Sequence, residues 1–300
     1  MNDRYDEYNF PPPEPLYRPR GAKLFDKLRS DRPRLNAILF VATYLTTFIT
    51  GWLFNGSWVE GLWYSTAIIS ILLAHEMGHY LMCRKYGIQA TLPFFIPSPF
   101  IGLNPFGTFG AVIRMESTIP SRKALFDVAV AGPLAGLALT IPAIYFGVQL
   151  SQIVDATARS EGTMYLGESF LFTQLSNLAI GKLPETKDVM LHPLAYAGWA
   201  GLFVTALNLL PIGQLDGGHV VYALFGRRHS WIAMVALVGF GGITVFLYRG
   251  WILLLLLLIW FGHKHPPTMD ERPLDAGRIA IGLFTLAIFF LSFTPEPFKF

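Results

Sequence analysis

Residues 70–82 read SILLAHEMGHYLM, so two histidines and a glutamate fall within five positions of an otherwise apolar run. The i, i+4 spacing of His75 and His79 stacks them on one face of a helix, where their imidazoles converge as two ligands of one tetrahedral ion must. Glu76 sits one position further on, close enough to that face for its carboxylate to reach a water held by the ion. Such a set carries out metal-assisted hydrolysis: the ion, a single Zn2+, activates the water and the carboxylate takes its proton. Histidines that only hydrogen-bond neighbouring helices are the plainer reading. It does not explain why three polar groups share one short stretch at a depth where an ionisable residue costs on the order of 3 kcal/mol.

The elements that must hold these groups are membrane helices. Of the 300 residues, 53% are hydrophobic and 14% charged, too little polar surface for a soluble domain of this size. A net charge of +3 gives no reason to expect nucleic acid, and the single cysteine, Cys83, excludes an internal disulfide or a cysteine-rich metal cluster. Apolar windows place spans at about 35–54, 59–82, 124–150, 193–211, 230–248, 250–262 and 277–294. The fold expected is an all-α polytopic membrane protein of six to seven transmembrane helices. Residues 1–34 read as a disordered, proline-rich cytoplasmic tail without the apolar core of a cleaved signal, 35–294 as one membrane-embedded domain and 295–300 as a short tail.

Orientation follows from the basic residues. With the N-terminus inside, eighteen of the twenty-three lysines and arginines lie on inner segments, leaving Arg159, Lys182, Lys187, Arg249 and Lys299 outside. The second and fourth spans then run in the same direction. The inner connection includes ATLPFFIPSPFIGLNPFGTFGAVIRM (90–115), too apolar for a loop in water and too rich in proline and glycine for a spanning helix. It is expected to be a re-entrant, β-hairpin-like segment packed beside a cavity, with GTFGAVIRM as its strand. The outer connection, 151–192, has 42 residues and is short for an independent domain.

Catalytic zinc keeps three protein ligands and one open position, so a third ligand is required at the same depth on a helix parallel to the second span. The fourth span ends in LNLLPIGQLDGGH, which offers Asn208, Asp216 and His219. Asp216 follows the break at Pro211 and precedes Gly217 and Gly218, so its backbone can turn the carboxylate back toward the site; it is the expected third ligand. Asp127, at the inner end of the third span, is its competitor.

Together, HEMGH in an early span and NLLPIGQLDGG in a later one resemble the site-2 protease family of intramembrane zinc metalloproteases. GTFGAVIRM and FDVAVAGPLAG between them look like that family too, so the resemblance covers roughly residues 59–225. It implies His75, His79 and Asp216 as zinc ligands, Glu76 as general base and Asn208 as the group that contacts the substrate or its oxyanion. The second motif often carries proline where this chain has Gly213. Neither a PDZ insertion nor CBS modules are visible. The resemblance also implies cleavage of single-span membrane proteins such as anti-sigma factors or membrane-bound transcription factors; the short tail without transit-type composition points to a prokaryotic plasma membrane, and the basic residues put the site toward the cytoplasm. Gly107, Phe109, Gly110 and Ala111 are the positions expected to meet the substrate, through a strand edge that pairs with an unwound segment.

The remaining features read more plainly. Gly132 and Gly136 have the spacing of close helix packing. His219 could support the ligand segment, and His192, His229, His263 and His265 read as solvated. Trp52, Trp58, Trp63, Trp199, Trp231 and Trp251 suit an interfacial belt. A membrane metal transporter would also bury histidine and aspartate but has no need of Glu76, and an inactive homologue acting as a binding module has no need of the complete set.

Overall fold

Backbone groups in hydrocarbon must be satisfied within their own segment, which turns long apolar runs into helices. The computed structural model describes residues 33–100, 104–115, 119–156, 165–262, 265 and 267–299. The tail expected over 1–34 therefore lies, apart from Pro33 and Arg34, outside the described residues, as does His263. Seven apolar segments were expected to be helical, and each is. They form α1 (Pro33–Asn55), α2 (Trp58–Lys85), α3 (Arg122–Gln149), α5 (Pro193–Asn208), α7 (His229–Phe246), α8 (Ile252–Phe261) and α9 (Ala276–Ser292). Two shorter helices, α4 (Phe170–Ile180) and α6 (Asp216–Phe225), were not foreseen.

Length separates these helices. Among the described residues four stretches are long and apolar enough to cross a membrane: α1, α2, α3 and Asp216–Phe246, which combines α6 and α7. The 16 residues of α5, the 10 of α8 and the 17 of α9 fall short of the roughly 20 that a plain crossing requires. Four rather than six or seven helices meet that criterion.

Local chemistry fixes several boundaries. Ser121 Oγ accepts from the Ala124 N–H and opens α3, Asp275 caps α9 through the Arg278 N–H, and Pro193 starts α5 behind His192, whose Nδ1 accepts from the Leu194 N–H. His192 is thus a helix cap rather than a solvated side chain. Arg84 and Lys85 end α2, where cations complement the helix dipole. Helix α2 is central, packed against α1, α3 and α5, and α3 in turn packs on α5 and α6.

The proline-rich segment forms an antiparallel pair, β1 (Phe94–Pro97) and β2 (Thr108–Val112), in the register Phe94↔Val112, Phe95↔Ala111 and Pro97↔Thr108, with an irregularity between Phe95 and Pro97. A bridge between Ala90 and Met115 closes its base. Asn36 of α1 donates its side-chain amide to the Leu92 and Pro93 carbonyls at 3.0 and 2.8 Å, satisfying backbone that the prolines leave unpaired.

The 151–192 connection and the C-terminus make small structures of their own. Strand β3 (Gln152–Asp155) pairs with β5 (Lys187–Met190), and β4 (Tyr165–Leu166) pairs with β6 (Phe298–Lys299), two residues of the stretch read as a short tail. The tryptophans divide. Trp52, Trp58, Trp63 and Trp231 are exposed, as a belt requires, whereas Trp199 and Trp251 are 2% and 5% exposed and stack among core aromatic rings.

Candidate metal centre

His75, Glu76 and His79 are buried on α2, each at most 6% exposed. The two imidazoles meet as the i, i+4 spacing requires, with Nε2 atoms 3.1 Å apart. His79 Nδ1 donates to the Val128 carbonyl of α3 at 2.8 Å, which fixes the tautomer and leaves the Nε2 lone pair facing His75.

The third group arrives from α6. After Asn208 the chain leaves its helix through Leu209–Leu215 and re-enters one at Asp216. Gly213 takes φ +60° in this turn. Proline is confined near −65°, so the family's frequent proline cannot occupy this backbone. A Cβ at Gly217 would stand 2.0 Å from the Leu209 carbonyl oxygen, so only glycine lets the chain double back this tightly. The result places Asp216 Oδ2 3.3 Å from both His75 Nε2 and His79 Nε2.

These distances allow a test of fit. A tetrahedral zinc with ligands at about 2.0–2.1 Å has ligand-to-ligand edges of about 3.3–3.4 Å. The three donor atoms form a triangle of 3.1, 3.3 and 3.3 Å, one face of such a tetrahedron. His75, His79 and Asp216 are also the one group of three or more candidate ligands among the described residues close enough to hold a metal. Glu76 stands beside the triangle and is hydrogen-bonded by the Ile113 backbone just after β2. The Asn208 amide nitrogen lies 3.2 Å from His75 Nε2. Two imidazole nitrogens and a carboxylate leave the fourth vertex for water or substrate, the ligand count of a catalytic zinc site.

The profile described as Peptidase family M50 matches residues 63–247, a span that contains all five of these side chains. The chain belongs to that family. The "Probable zinc metalloprotease EGY2, chloroplastic" of Arabidopsis thaliana is 32% identical over 243 residues, 77% of this chain and 41% of the relative. Its counterpart in Oryza sativa subsp. indica is 32% identical over 246 residues, 80% and 44% of the two chains. EGY1 of Oryza sativa subsp. japonica is 36% identical over 183 residues, 58% of this chain and 28% of the relative. The chain spans less than half the length of these curated relatives. No solved structure matches it. Zinc is the cofactor that the relatives' names and the donor triangle both indicate, and the apolar helices make this M50 chain an integral membrane protein. The relatives are chloroplastic by name and lend no support to a prokaryotic plasma membrane.

Helix α3 gives the M50 site its shape. A Cβ on Gly132 would lie 2.1 Å from His79 Nε2, and one on Gly136 would lie 3.3 Å from His75 Cβ. The two glycines are the floor of the slot in which the ligand imidazoles lie. Packing was legible in their spacing; what they pack against was not.

Asp127 is occupied elsewhere. Arg278 at the start of α9 grips it with two N–H groups, Nε to Oδ1 and Nη2 to Oδ2, both 2.8 Å, and the Tyr86 hydroxyl donates to Oδ2 at 2.5 Å. Arg278 also pairs with Asp275. The cluster ties α9 to α3 and to the end of α2. Removing the guanidinium would leave a half-buried carboxylate short of donors, so Arg278→Met is expected to cost about 2 kcal/mol. Thermal unfolding in detergent should shift down with zinc content unchanged, and an unshifted transition would count against the clasp.

Three histidines gather beside Tyr222 rather than in solvent. His219 Nδ1 and His265 Nε2 are 2.6 Å apart, His265 stacks on Tyr222, and His229 is buried against Tyr222 edge to face. The α8–α9 connection brings His265 there, and its path also carries Met269 and Asp270 back to bond Ile119 and Pro120. Sequence spacing alone could not show that return.

Of the positions expected to meet the substrate, Phe109, Gly110 and Ala111 lie on β2, and Phe109 is exposed. Gly107 lies just before that strand. It is buried in the hairpin turn at φ +71°, where a Cβ would stand 2.4 Å from Thr50 Oγ1 of α1.

Proposed function

We propose that this M50 chain hydrolyses peptide bonds of single-span membrane proteins in or near their transmembrane segments, with its N-terminus and active site toward the side rich in lysine and arginine. The observation that carries this reading is the donor triangle of His75, His79 and Asp216 with Glu76 beside it, buried among membrane-length helices. A zinc ion there supplies Lewis acidity, polarising the scissile carbonyl and lowering the pKa of water toward 7. Glu76 takes the proton of the attacking water and delivers it to the leaving amide nitrogen. Asn208, beside His75, donates its amide N–H to the oxygen that gains charge. His79 is held in the required tautomer by Val128 throughout.

A transmembrane helix buries its peptide carbonyls in its own hydrogen bonds and must be unwound before attack. Strand β2 is the element suited to hold it open, since it runs toward Glu76 and an extended peptide can add to a strand. Substrates of this kind are single-span regulators that a first cut outside the membrane has already trimmed.

The experiment is reconstitution of the chain in liposomes with a panel of tagged single-span proteins, with products mapped by mass and repeated after chelation and zinc replacement. Cleavage in or next to the span that chelation stops and zinc restores is expected. Products cut far from the span, or cleavage indifferent to chelation, would overturn the reading. Proline at single positions from Phe109 to Ile113 removes one N–H each, which serves a paired peptide, the β1 partner or, at Ile113, Glu76. Such variants are expected to lose about tenfold or more in cleavage with zinc content intact. Equal loss of zinc would place the hairpin's role in building the metal site instead.

A further inference from the structure

The hairpin is fastened to α2 at two points. Near Glu76 the attachment is the Ile113 backbone. At the other end, the Tyr64 hydroxyl donates to the Phe106 carbonyl at 2.9 Å, and the Tyr196 hydroxyl of α5 donates to the Pro105 carbonyl at 3.2 Å. Twelve helical residues separate Tyr64 from Glu76, about 18 Å at 1.5 Å each. Phe106 to Ile113 is seven residues, at most about 23 Å of extended chain. The strand has little slack, so where its turn is pinned decides how β2 is presented beside Glu76.

The pin is an aromatic cage. The Phe106 ring lies 6.3 Å from Tyr196, 6.2 Å from Trp199, 5.8 Å from Phe203 and 6.0 Å from Phe298. The first three come from α5. Phe298 comes from β6, at the far end of the chain, and packs edge-on against Trp199 and Phe203 as well. Its backbone is held in place separately. Leu166 pairs with Phe298, Gly167 N–H donates to the Pro297 carbonyl at 2.9 Å, and Trp251 Nε1 donates to the Pro295 carbonyl at 2.8 Å. Trp199 Nε1 in turn donates to the Gly167 carbonyl at 2.8 Å, linking the cage to β4. A two-residue strand paired with another two-residue strand is a marginal structure by itself. Its presence here is explained by what it delivers, one ring to the wall around Phe106.

We infer that Phe298 is a positioning residue for the peptide-hydrolysing site: by closing the cage around Phe106 it sets the line along which β2 presents a substrate strand to Glu76. The inference rests on the proteolytic reading above. Phe298 is not among the metal ligands and lies apart from Glu76; it reaches the hairpin through Phe106, and its contacts with Trp199 and Phe203 complete the same cage.

The test uses the full chain in liposomes, with a single-span substrate that the parent cleaves and Glu76→Gln does not. Phe298→Ala, Phe106→Ala, the double variant and Phe298→Tyr are compared for KM, kcat, zinc content and hydrogen exchange of the 109–112 amides. Phe298→Ala is expected to raise KM about tenfold and speed exchange across 109–112, with kcat and zinc content within about twofold of the parent. Phe298→Tyr keeps the ring and should restore KM. The double variant should be no worse than Phe106→Ala alone, because two residues acting through one contact are not additive. If Phe298→Ala fails to accumulate folded, Phe298→Leu carries the same comparison. Additive losses, unchanged exchange, or a fall in kcat or zinc alongside KM would overturn the inference. Cleavage untouched by Phe298→Ala or Phe298→Leu sinks it alone, whereas absence of any Glu76-dependent cleavage sinks the proteolytic reading first.

Discussion

Glu76→Gln is expected to lower cleavage by about a thousandfold while the protein keeps its full zinc content. A positioned general base contributes roughly 10²–10⁴ in rate. Glutamine matches glutamate in size and still accepts the hydrogen bond from the Ile113 backbone, so the surroundings of residue 76 are preserved. What it cannot do is take a proton. Metal content should not change because the donor triangle is made by His75, His79 and Asp216. Zinc analysis and turnover on one preparation decide the matter. Retained cleavage would assign the proton to another group, and lost zinc would make Glu76 a ligand.

The second large effect is on metal affinity, and it is expected from two unlike substitutions. Asp216→Ala removes one vertex of the triangle and should weaken zinc by at least about 100-fold, more than the loss of a group that merely supports a ligand. Gly132→Ala removes no donor at all. It is nonetheless expected to weaken zinc comparably, because its methyl group would overlap His79 Nε2 at 2.1 Å and no rotation of a methyl relieves that. Gly136→Ala is the control: its Cβ would meet His75 Cβ at 3.3 Å, a contact that a shift of a few tenths of an ångström accommodates. Competition with a chelator of known affinity ranks the three variants. Full affinity in Gly132→Ala would mean that α3 stands off from the ligands farther than this packing indicates.

The grouping of His75, His79 and Asp216 was legible in the sequence because its constraint is local or carried by a motif. Helical spacing alone brings His75 to His79, and Pro211 with the glycines around Asp216 marks a chain that turns back. The antiparallel β1–β2 pair was legible in a stretch unsuited to either a water-soluble loop or a helix. Span length was less so: the apolar window at 193–211 reads as a crossing, yet its helix stops at Asn208 to make the turn that the site requires. Contacts between distant segments left no local trace. Nothing near Asp127 announces Arg278, nothing in the α8–α9 connection announces that His265 returns to His219, and a two-residue strand at the C-terminus has no period to detect.

The glycine slot and the position of Asp216 also set an order of events during synthesis. His75 and His79 are made early, on α2, but His79 is not oriented until α3 has been made and has docked with Gly132 under the ring and Val128 on Nδ1. The third donor is not made until α5 has been completed and the Gly213 turn has folded. A nascent chain that stops before α6 has no complete binding site, so the metal cannot nucleate this fold as it does in a zinc finger. Zinc binding at this site therefore follows the docking of α3 and the folding of the turn after α5, and cannot precede them.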